Sequence, residues 1–349
     1  MAGIGFFDLN IPKTDDFNKW ADVVEIFCLV LEEGGITKDE LFDRIFDENA
    51  GDIGESIQHF QENEFFEEDE DTLLLPSPDD ISTNTESRER DILKSKIDEL
   101  FLFLESRCLF YQEHYPFSLA TGNQLKLKEE LTVSNELYLS LLICSNLDIA
   151  KGYLHDLTKE FERISLSTLK SVFGATFQVE YFGAILKDVH TRFDKNKLKD
   201  RLVQLRESLK LNFNPNFNLD NEISSQNTGD YGLDIIAWHE FGDGNSNTFL
   251  YFIQCACGKE WVEKQLESSA LRWENIFIFT NKPVSIILIP KSLRNNRNQW
   301  ESALIFRGSV IIDRRRIVQS LSGKEDFKLH AALRGILKEI QENKISYFD

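Results

Sequence analysis

The second half of the chain constrains the fold most, because helical and strand-like segments alternate along it. A helical pattern, LTKEFERISLSTLKSVFG, ends at Gly174 and is followed by the strand-like TFQVEYFGA and a second helical pattern, DKNKLKDRLVQLRESLKL. Two apolar runs come next, IIAW and FLYFIQCAC, then the helical WVEKQLESSALRW. The remaining segments are the strand-like NIFIFTN and KPVSIILIP, a strand leading into a helix in SVIIDRRRIVQSLSG, and a helical tail, LHAALRGILKEIQEN. This alternation predicts an α/β domain over residues 150–349, with a mixed sheet flanked by helices.

Charge divides the chain differently from its apolar pattern. The formal net charge is -20, and residues 1–100 contain 28 acidic and 8 basic side chains, whereas the other residues contain 31 of each. A strongly acidic segment repels nucleic acid and a balanced one does not. The charge therefore predicts two modules with different partners.

The acidic residues 1–77 resemble a winged helix, a small domain of three helices and a terminal hairpin. A helical pattern covers residues 16–33, and Thr37 with Glu40 forms a capping-box pattern at the next helix. IGESIQHFQEN is a third helical pattern, and EFFEEDEDTLLLP is typical of a hairpin with an acidic tip. Such domains often bind DNA through the third helix and the wing, but this wing would meet phosphates with like charge. The resemblance therefore implies a module that binds a protein partner or forms a homo-oligomer.

Residues 78–149 are predicted to form a linker and a helical domain. PSPDDISTNTESRER, at 76–90, has the Pro, Ser, Thr, Asn and Asp content of a linker. Helical patterns follow in DILKSKIDELFLFLESRCLFYQ and SNELYLSLLICSNLDIA, with a break at Tyr115 and Pro116 between them. We attach no chemistry to these apolar stripes.

Several features predict a cytoplasmic protein without a membrane partner. There is no apolar run of about 18 residues, the length that a membrane span needs. The start of the chain lacks the pattern of a signal peptide. The five cysteines are odd in number and scattered through apolar runs, which favours reduced thiols over a disulfide framework.

Two polar residues interrupt the paired apolar runs. Asp234 stands at the head of the first run, and Gln254 lies near the end of the second. A buried polar side chain costs a few kcal/mol unless it is hydrogen-bonded, and a buried charge costs more unless it is paired or bound to a metal. Neighbouring strands can bring these two residues together at a sheet edge. Hydrolysis of a phosphodiester needs such carboxylate and amide oxygens to hold Mg²⁺, together with a lysine near the attacking water.

The order of these residues resembles the PD-(D/E)XK nucleases, which share the restriction-endonuclease-like fold. The FE pair at 161–162 resembles the first helix of that fold, where a glutamate completes the metal site. GLDII, which contains Asp234, resembles the central Asp motif, and Gln254 resembles the Q of the Q-x-K variant of Mrr-like enzymes. The resemblance covers residues 150–320, and its specificity depends on the order and spacing of short motifs.

This resemblance implies a metal-dependent DNA endonuclease. It implies that Mg²⁺ or Mn²⁺ is held by Glu162, Asp234 and the backbone carbonyl of Cys255, with Gln254 in the catalytic set. It also implies a role as the effector of a prokaryotic restriction or anti-phage defence system, controlled by a partner.

The sequence departs from the family at Ala256, where the Q-x-K pattern has a lysine. Lys259 and Lys264 are the nearest lysines, and we favour Lys264 because it shares a helix face with Trp261. The departure supports an alternative function. In that alternative, the domain is an inactive nuclease-fold adaptor or a nucleic-acid-binding subunit that assembles through its winged helix.

Each candidate also has a structural interpretation. Glu162 is then a solvated helix residue, and Glu160 is a rival for its role. Asp234 is then a turn cap, and Gln254 a hydrogen-bonded core amide. The CAC motif at 255–257 is better explained by buried strand residues than by zinc ligands, because no second cysteine pair or histidine cluster accompanies it.

Two basic clusters are candidate contacts to DNA phosphates, and the alternative for both is a solvated surface. One lies in the loop KSLRNNRNQW, where a tryptophan is available for stacking, and the other follows the strand-like SVII. The candidate residues are Arg294 and Arg297 in the first cluster and Arg314, Arg315 and Arg316 in the second.

Overall fold

The structure is a computed structural model that describes residues 16–48, 78–120, 123–148, 150–184, 186 and 188–344. The chain divides into two compact units. The first comprises Met1–Leu131, Arg294–Trp300 and Lys338–Asp349, and the second comprises Thr132–Leu293 and Glu301–Leu337. The main boundary between these units lies between residues 131 and 132, and the division into domains at 1–77, 78–149 and 150–349 stays a prediction.

The first unit combines helices with a small antiparallel sheet, whose strand order is β1-β3-β2. Its elements are α1 (Phe17–Val30), β1 (Gly35–Thr37), α2 (Lys38–Glu48), α3 (Pro78–Tyr111), β2 (Phe117–Ala120) and β3 (Gln124–Leu127). Thr37 and Glu40 form the predicted capping box, because the backbone N–H of each donates to the other's side chain, at 2.7 and 3.1 Å.

Two predictions made from the sequence of this unit have different outcomes. The third helix and acidic hairpin predicted within residues 53–76 lie outside the described residues. The predicted linker at 76–90 is wrong for most of its length, because α3 begins at Pro78.

A buried ionic network ties α3 to α1. Arg107 is 3% exposed and donates to Asp22 and Glu25 at 2.8 and 2.7 Å. Tyr115 donates to the same oxygen of Glu25 at 2.7 Å. Two carboxylates and one guanidinium are thus held away from water, and each depends on the others for its stability.

The second unit is the predicted α/β domain. Its first elements are α4 (Val133–Ser145), α5 (Leu154–Phe173), β4 (Phe177–Tyr181), α6 (Leu198–Leu209), β5 (Asn212–Phe213), α7 (Leu219–Glu222), β6 (Ile235–His239) and β7 (Leu250–Cys255). The remaining elements are α8 (Trp261–Lys264), α9 (Ala270–Trp273), β8 (Phe277–Ile278), β9 (Val284–Leu288), β10 (Val310–Ile312), α10 (Arg314–Leu321) and α11 (Ala331–Glu342).

A mixed five-stranded sheet forms the centre of this unit, in the order β4-β6-β7-β9-β10. Strands β4, β6 and β7 are antiparallel neighbours, whereas β7, β9 and β10 run parallel. The prediction of a mixed sheet flanked by helices is confirmed. None of the helices that the structure describes has an apolar stretch long enough to cross a bilayer.

The two faces of the sheet are covered by different elements. On one face, the ring of Tyr251 in β7 packs 4.7 Å from Phe173 of α5. On the other face, Phe252 packs 5.0 Å from Trp273 of α9, within a core that includes the apolar side of α6. Because side chains alternate along a strand, odd-numbered residues of β7 face α5 and even-numbered ones face the opposite core.

Two predicted elements differ in the structure. The predicted helix WVEKQLESSALRW is two short helices, α8 and α9. Between them Gln265 is fully buried, donates to the carbonyl of Ile305 at 2.7 Å and accepts from the N–H of Arg307 at 3.0 Å. These tertiary bonds interrupt the helix. The predicted strand NIFIFTN is β8, which pairs with β5 instead of joining the main sheet.

Candidate active site

Asp234 lies directly before β6, at the edge of the sheet. It is 5% exposed, and its Oδ2 accepts from the backbone N–H of Cys255 at 2.7 Å. Its own N–H donates to the carbonyl of Ile253 at 3.0 Å. The preceding turn is held by Asp230, which accepts from the N–H of Gly232 at 2.8 Å. Asp230 therefore caps the turn, and the carboxylate of Asp234 reaches across to β7.

The backbone of Cys255 points toward Asp234. In an extended strand the N–H and C=O of one residue point to the same side of the strand. Since the N–H of Cys255 donates to Asp234, its carbonyl also points toward the start of β6. The predicted pairing of an Asp234 carboxylate with a Cys255 carbonyl is consistent with this geometry.

Glu162 projects from α5 toward β4. Its Oε2 lies 2.5 Å from the hydroxyl of Tyr181, which also lies 2.8 Å from the carbonyl of Ala184. A phenol has one proton, so it can donate fully to only one of these oxygens. Glu160, the rival candidate, instead accepts from Arg163 at 2.7 Å and is directed to a different part of the unit.

The electrostatics of the site couple three carboxylates. Burial raises the pKa of Glu162; the hydrogen bond from Tyr181 opposes that shift, and the charge of Asp230 adds to it. Burial also raises the pKa of Asp234 well above its ordinary value, and the charges of Asp230 and Glu162 raise it further. A positive charge bound here would favour ionisation of both groups.

Lys264 acts on Asp234, whereas the charges of Arg163 and Lys159 act on Glu162. The charge of Lys264 lowers the pKa of Asp234, against the larger effect of burial. Lys259 instead lies 3.6 Å from Asp148, and its side chain is 83% exposed. The structure therefore favours Lys264 over Lys259 as the lysine of the site.

Gln254 is not on the face of Glu162. It is an even-numbered residue of β7, so its side chain leaves the sheet on the face opposite α5. It is 5% exposed, and its Oε1 has no hydrogen-bond partner among the residues that the structure describes. The alternation of the strand places the Gln254 side chain on the face opposite Tyr251, and its part in the catalytic set stays a prediction. Ala256 points the same way and is 1% exposed.

The sequence analysis missed the residue that joins the loops of the site. Arg201 in α6 is fully buried and donates to backbone carbonyls in two separate loops. The four acceptors are the carbonyls of Phe182, Gly183, Thr228 and Gly229. A signal was available, because an arginine on the apolar stripe of a helix needs internal acceptors. Tyr181 gave no comparable signal.

The second basic cluster does not form one phosphate-binding surface. Arg314 is fully buried, donates to the carbonyl of Pro290 at 2.8 Å and to Ser145 at 2.7 Å, and lies over the ring of Tyr138. Its prediction as a DNA contact is wrong, because the cation is used inside the unit. Arg315 is half-buried, and the exposed Arg316 donates to the carbonyl of Ile311 at 2.5 Å.

The first basic cluster belongs to the other unit. Arg294 stacks 3.6 Å over the ring of Trp300, and its carbonyl accepts from Asn18 of α1 at 3.2 Å. Arg297 is exposed. The predicted tryptophan is therefore already paired with an arginine.

The donor set of the site suits Mg²⁺ better than zinc. Among the residues that the structure describes, no group of three or more His, Cys, Asp and Glu side chains is arranged to hold a metal ion. Mg²⁺ requires only one or two carboxylates and keeps water molecules or substrate oxygens as its other ligands. Glu162, Asp234 and the carbonyl of Cys255 are oxygen donors of that kind, and a bound cation would offset the effect of burial and of the Asp230 charge, which raise the pKa of both carboxyls. Comparison of the chain with protein-family models, curated proteins and solved structures finds no match.

Proposed function

We propose that this protein is a Mg²⁺- or Mn²⁺-dependent nuclease that hydrolyses phosphodiester bonds of DNA. The observation that carries the proposal is the electrostatic coupling of Glu162 and Asp234, two carboxylates from separate chain segments, beside a backbone carbonyl at the edge of the sheet. The order of elements supports the same function. A helix with a glutamate precedes an aspartate at the start of β6, and β6 returns through β7, as in the resemblance to the PD-(D/E)XK nucleases.

Each residue of the site has a role in this proposal. Glu162, Asp234 and the carbonyl of Cys255 would hold the divalent cation, which when bound would activate water and stabilise charge on the phosphate. The N–H of Cys255 orients the carboxylate of Asp234. Tyr181 orients the carboxyl of Glu162. Lys264 supplies positive charge for the attacking water or for a phosphate oxygen.

The proposed setting extends to partners. The balanced charge outside residues 1–100 permits approach to DNA, whereas the acidic first hundred residues favour a protein partner that controls the nuclease. A controlled nuclease of this kind suits restriction or anti-phage defence. The winged helix, homo-oligomer formation and a cytoplasmic location belong to the same proposal.

Cleavage assays test the proposal directly. Plasmid and linear DNA are incubated with the protein in Mg²⁺ or Mn²⁺, beside Asp234→Asn, which keeps an oxygen to accept from Cys255. We expect cleavage by the parent and none by the variant. Lys264→Ala should reduce cleavage at least tenfold, and the matched Lys259→Ala should not. Equal cleavage by the parent and Asp234→Asn would refute the proposed site.

The buried Ala256 favours a second candidate, a catalytically inactive nuclease-fold adaptor. In this candidate the lysine of the family is replaced by a core methyl group, and Gln254 serves the core. Calorimetry with Mn²⁺ separates the two functions. Ion binding by the parent that is lost in Asp234→Asn supports the nuclease, even if cleavage also needs a partner. If the parent neither binds Mn²⁺ nor cleaves DNA, the result supports the adaptor.

A further inference from the structure

Two exposed leucines lie on one line along the outer side of α3. Leu102 is 63% exposed and Leu109 is 68% exposed. They are seven residues apart, so they lie on the same face of the helix, two turns or about 10.5 Å from each other. Single exposed leucines are ordinary on a protein surface. An aligned pair on one helix instead presents a repeated apolar contact of the kind that a second helix can use.

These two leucines do not belong to the core of the first unit. α3 packs against α1 and α2. The side of α3 that does so consists of buried residues, which include Ile97, Leu100, Phe101, Leu104 and Arg107. Because the core is built from that side, the packing of α3 does not explain why Leu102 and Leu109 stand on the other.

Acidic side chains share the face of the two leucines. Asp91, Asp98 and Glu105 lie on it, because the positions 91, 98, 102, 105 and 109 are spaced by three, four or seven residues, as the helical period requires. All three carboxylates are exposed. We call these five residues, Asp91, Asp98, Leu102, Glu105 and Leu109, the α3 stripe. It carries three acids and no base.

The basic residues near the α3 stripe leave it acidic. Nζ of Lys38 lies 2.6 Å from Asp98, but the side chain of Asp98 is still 62% exposed. Lys94 is directed over an aromatic ring of α2, 5.4 Å from the ring centroid. Lys96 and Glu99 lie 4.0 Å apart and offset each other. The stripe therefore attracts a cationic partner.

Three kinds of occupant are disfavoured at this stripe. Nucleic acid and an anionic bilayer would both meet like charge. A second copy of the chain would also do so, because contact between the leucines of two stripes brings Glu105 beside its own counterpart in either helix orientation. A cationic amphipathic helix avoids this repulsion. It can set apolar side chains seven residues apart against the two leucines and direct lysines or arginines toward the acids.

We propose that the α3 stripe is the docking surface for a cationic amphipathic helix of a partner protein. The apolar residues of that helix pack against Leu102 and Leu109, and its basic residues pair with Asp91, Asp98 and Glu105. The proposal rests on the proposed function only in giving its controlling partner a surface and a chemistry, and it does not involve the nuclease site.

Fluorescence anisotropy of a labelled peptide tests this docking surface on the full-length protein. The probe is a peptide of leucine and lysine, about 18 residues or five turns long. Its leucines recur every three or four residues, so that its helix has one apolar and one cationic face. The control peptide has the same composition with the leucines scattered around the helix. We expect saturable binding of the amphipathic peptide and at least tenfold weaker binding of the control.

Matched variants assign the binding to the stripe. The double variant Leu102→Ser, Leu109→Ser should weaken binding at least tenfold, and Glu105→Lys should weaken it at least fivefold. Two controls should leave the affinity within twofold of the parent. Leu271→Ser replaces a leucine of the second unit that is 78% exposed, and Glu33→Lys reverses an exposed acid of the first unit outside the stripe.

The other outcomes overturn the proposal. They are absence of binding, equal binding of the control peptide, and an affinity that the double variant leaves unchanged. Dimers of the parent in analytical ultracentrifugation that the double variant abolishes would assign the stripe to a second copy instead. Asp234→Asn should bind the peptide like the parent, so loss of cleavage and loss of docking are separate results.

Discussion

Replacement of Arg201 by methionine should remove the hydrogen bonds that join the loops of the candidate active site, while the methionine side chain still occupies the space of the arginine. The guanidinium donates to Phe182 at 2.5 Å and to Thr228 at 3.0 Å, and its other two acceptors are Gly183 and Gly229. Hydrogen bonds from a charged donor are worth about 1.5–3 kcal/mol each. Their sum overstates the effect, because burial of the cation is itself unfavourable and lowers its pKa. Each buried acceptor left without its donor costs about 1–3 kcal/mol, and we expect a net loss of about 3 kcal/mol here.

Hydrogen exchange measures this loss at the relevant amides. The N–H groups of Phe182 and Gly183 both donate to the carbonyl of Asp234, at 2.7 and 3.0 Å. A loss of about 3 kcal/mol should speed their exchange by roughly a hundredfold. Local exchange is preferable to a single unfolding midpoint, because a chain of two units need not unfold in one step.

A matched control lies on the same helix. Arg206 in α6 forms a surface pair with Glu207 at 3.4 Å and lies over the ring of Phe213. Arg206→Met should change stability by less than about 1 kcal/mol. Unchanged exchange at Phe182 and Gly183 in Arg201→Met, or an equal effect of both variants, would show that Arg201 does not join the two loops.

Three further predictions concern stability. In EDTA the contribution of Asp234 and Glu162 to the free energy of unfolding should fall as pH rises from about 4, where the unfolded carboxyls ionise, through their higher folded pKa values. In urea titrations the parent should therefore lose stability relative to Asp234→Asn over this range. A parent that gains stability relative to the variant would contradict the raised pKa values. Gly183→Ala would place a methyl group 2.5 Å from the hydroxyl of Tyr181 and should cost about 1–3 kcal/mol of stability. In the Tyr181→Ala background most of that cost should disappear, as a double-mutant cycle by thermal unfolding would show. Additive effects of the two substitutions would exclude the clash. Arg107→Met should destabilise the first unit by about 3–5 kcal/mol, measured by hydrogen exchange in α1 and α3. A change of less than about 1 kcal/mol would mean that its two carboxylate partners are not held as buried ions.

Local signals in the sequence predicted most elements correctly. The capping box of Thr37 and Glu40 and the C-cap at Gly174, with φ 67°, involve only neighbouring residues. The apolar runs around Asp234 also identified the two central strands, because a buried strand needs little beyond its own side chains to be recognised. For such features the information lies within a few residues.

Features decided by distant contacts could not be predicted in the same way. A row of arginines indicates positive charge, but the burial of Arg314 depends on Tyr138 and Ser145, more than 160 residues away. The face of Gln254 depends on which side of β7 packs against α5, a property of tertiary packing. Asp230 acts through space on two carboxylates, and no spacing in the sequence identifies it.

The route of the chain between the two units limits how this protein can be dissected. The first unit contains Arg294–Trp300 and Lys338–Asp349 as well as the first 131 residues, and the carbonyl of Arg294 accepts from Asn18. A single proteolytic cut near residue 131 therefore leaves two pieces of the first unit attached to the second. Exchange of either unit between homologous genes by one crossover would separate segments that pack together. The second unit alone would have to be obtained by omitting residues 1–131 and the tail and by closing the loop at 294–300 with a short spacer.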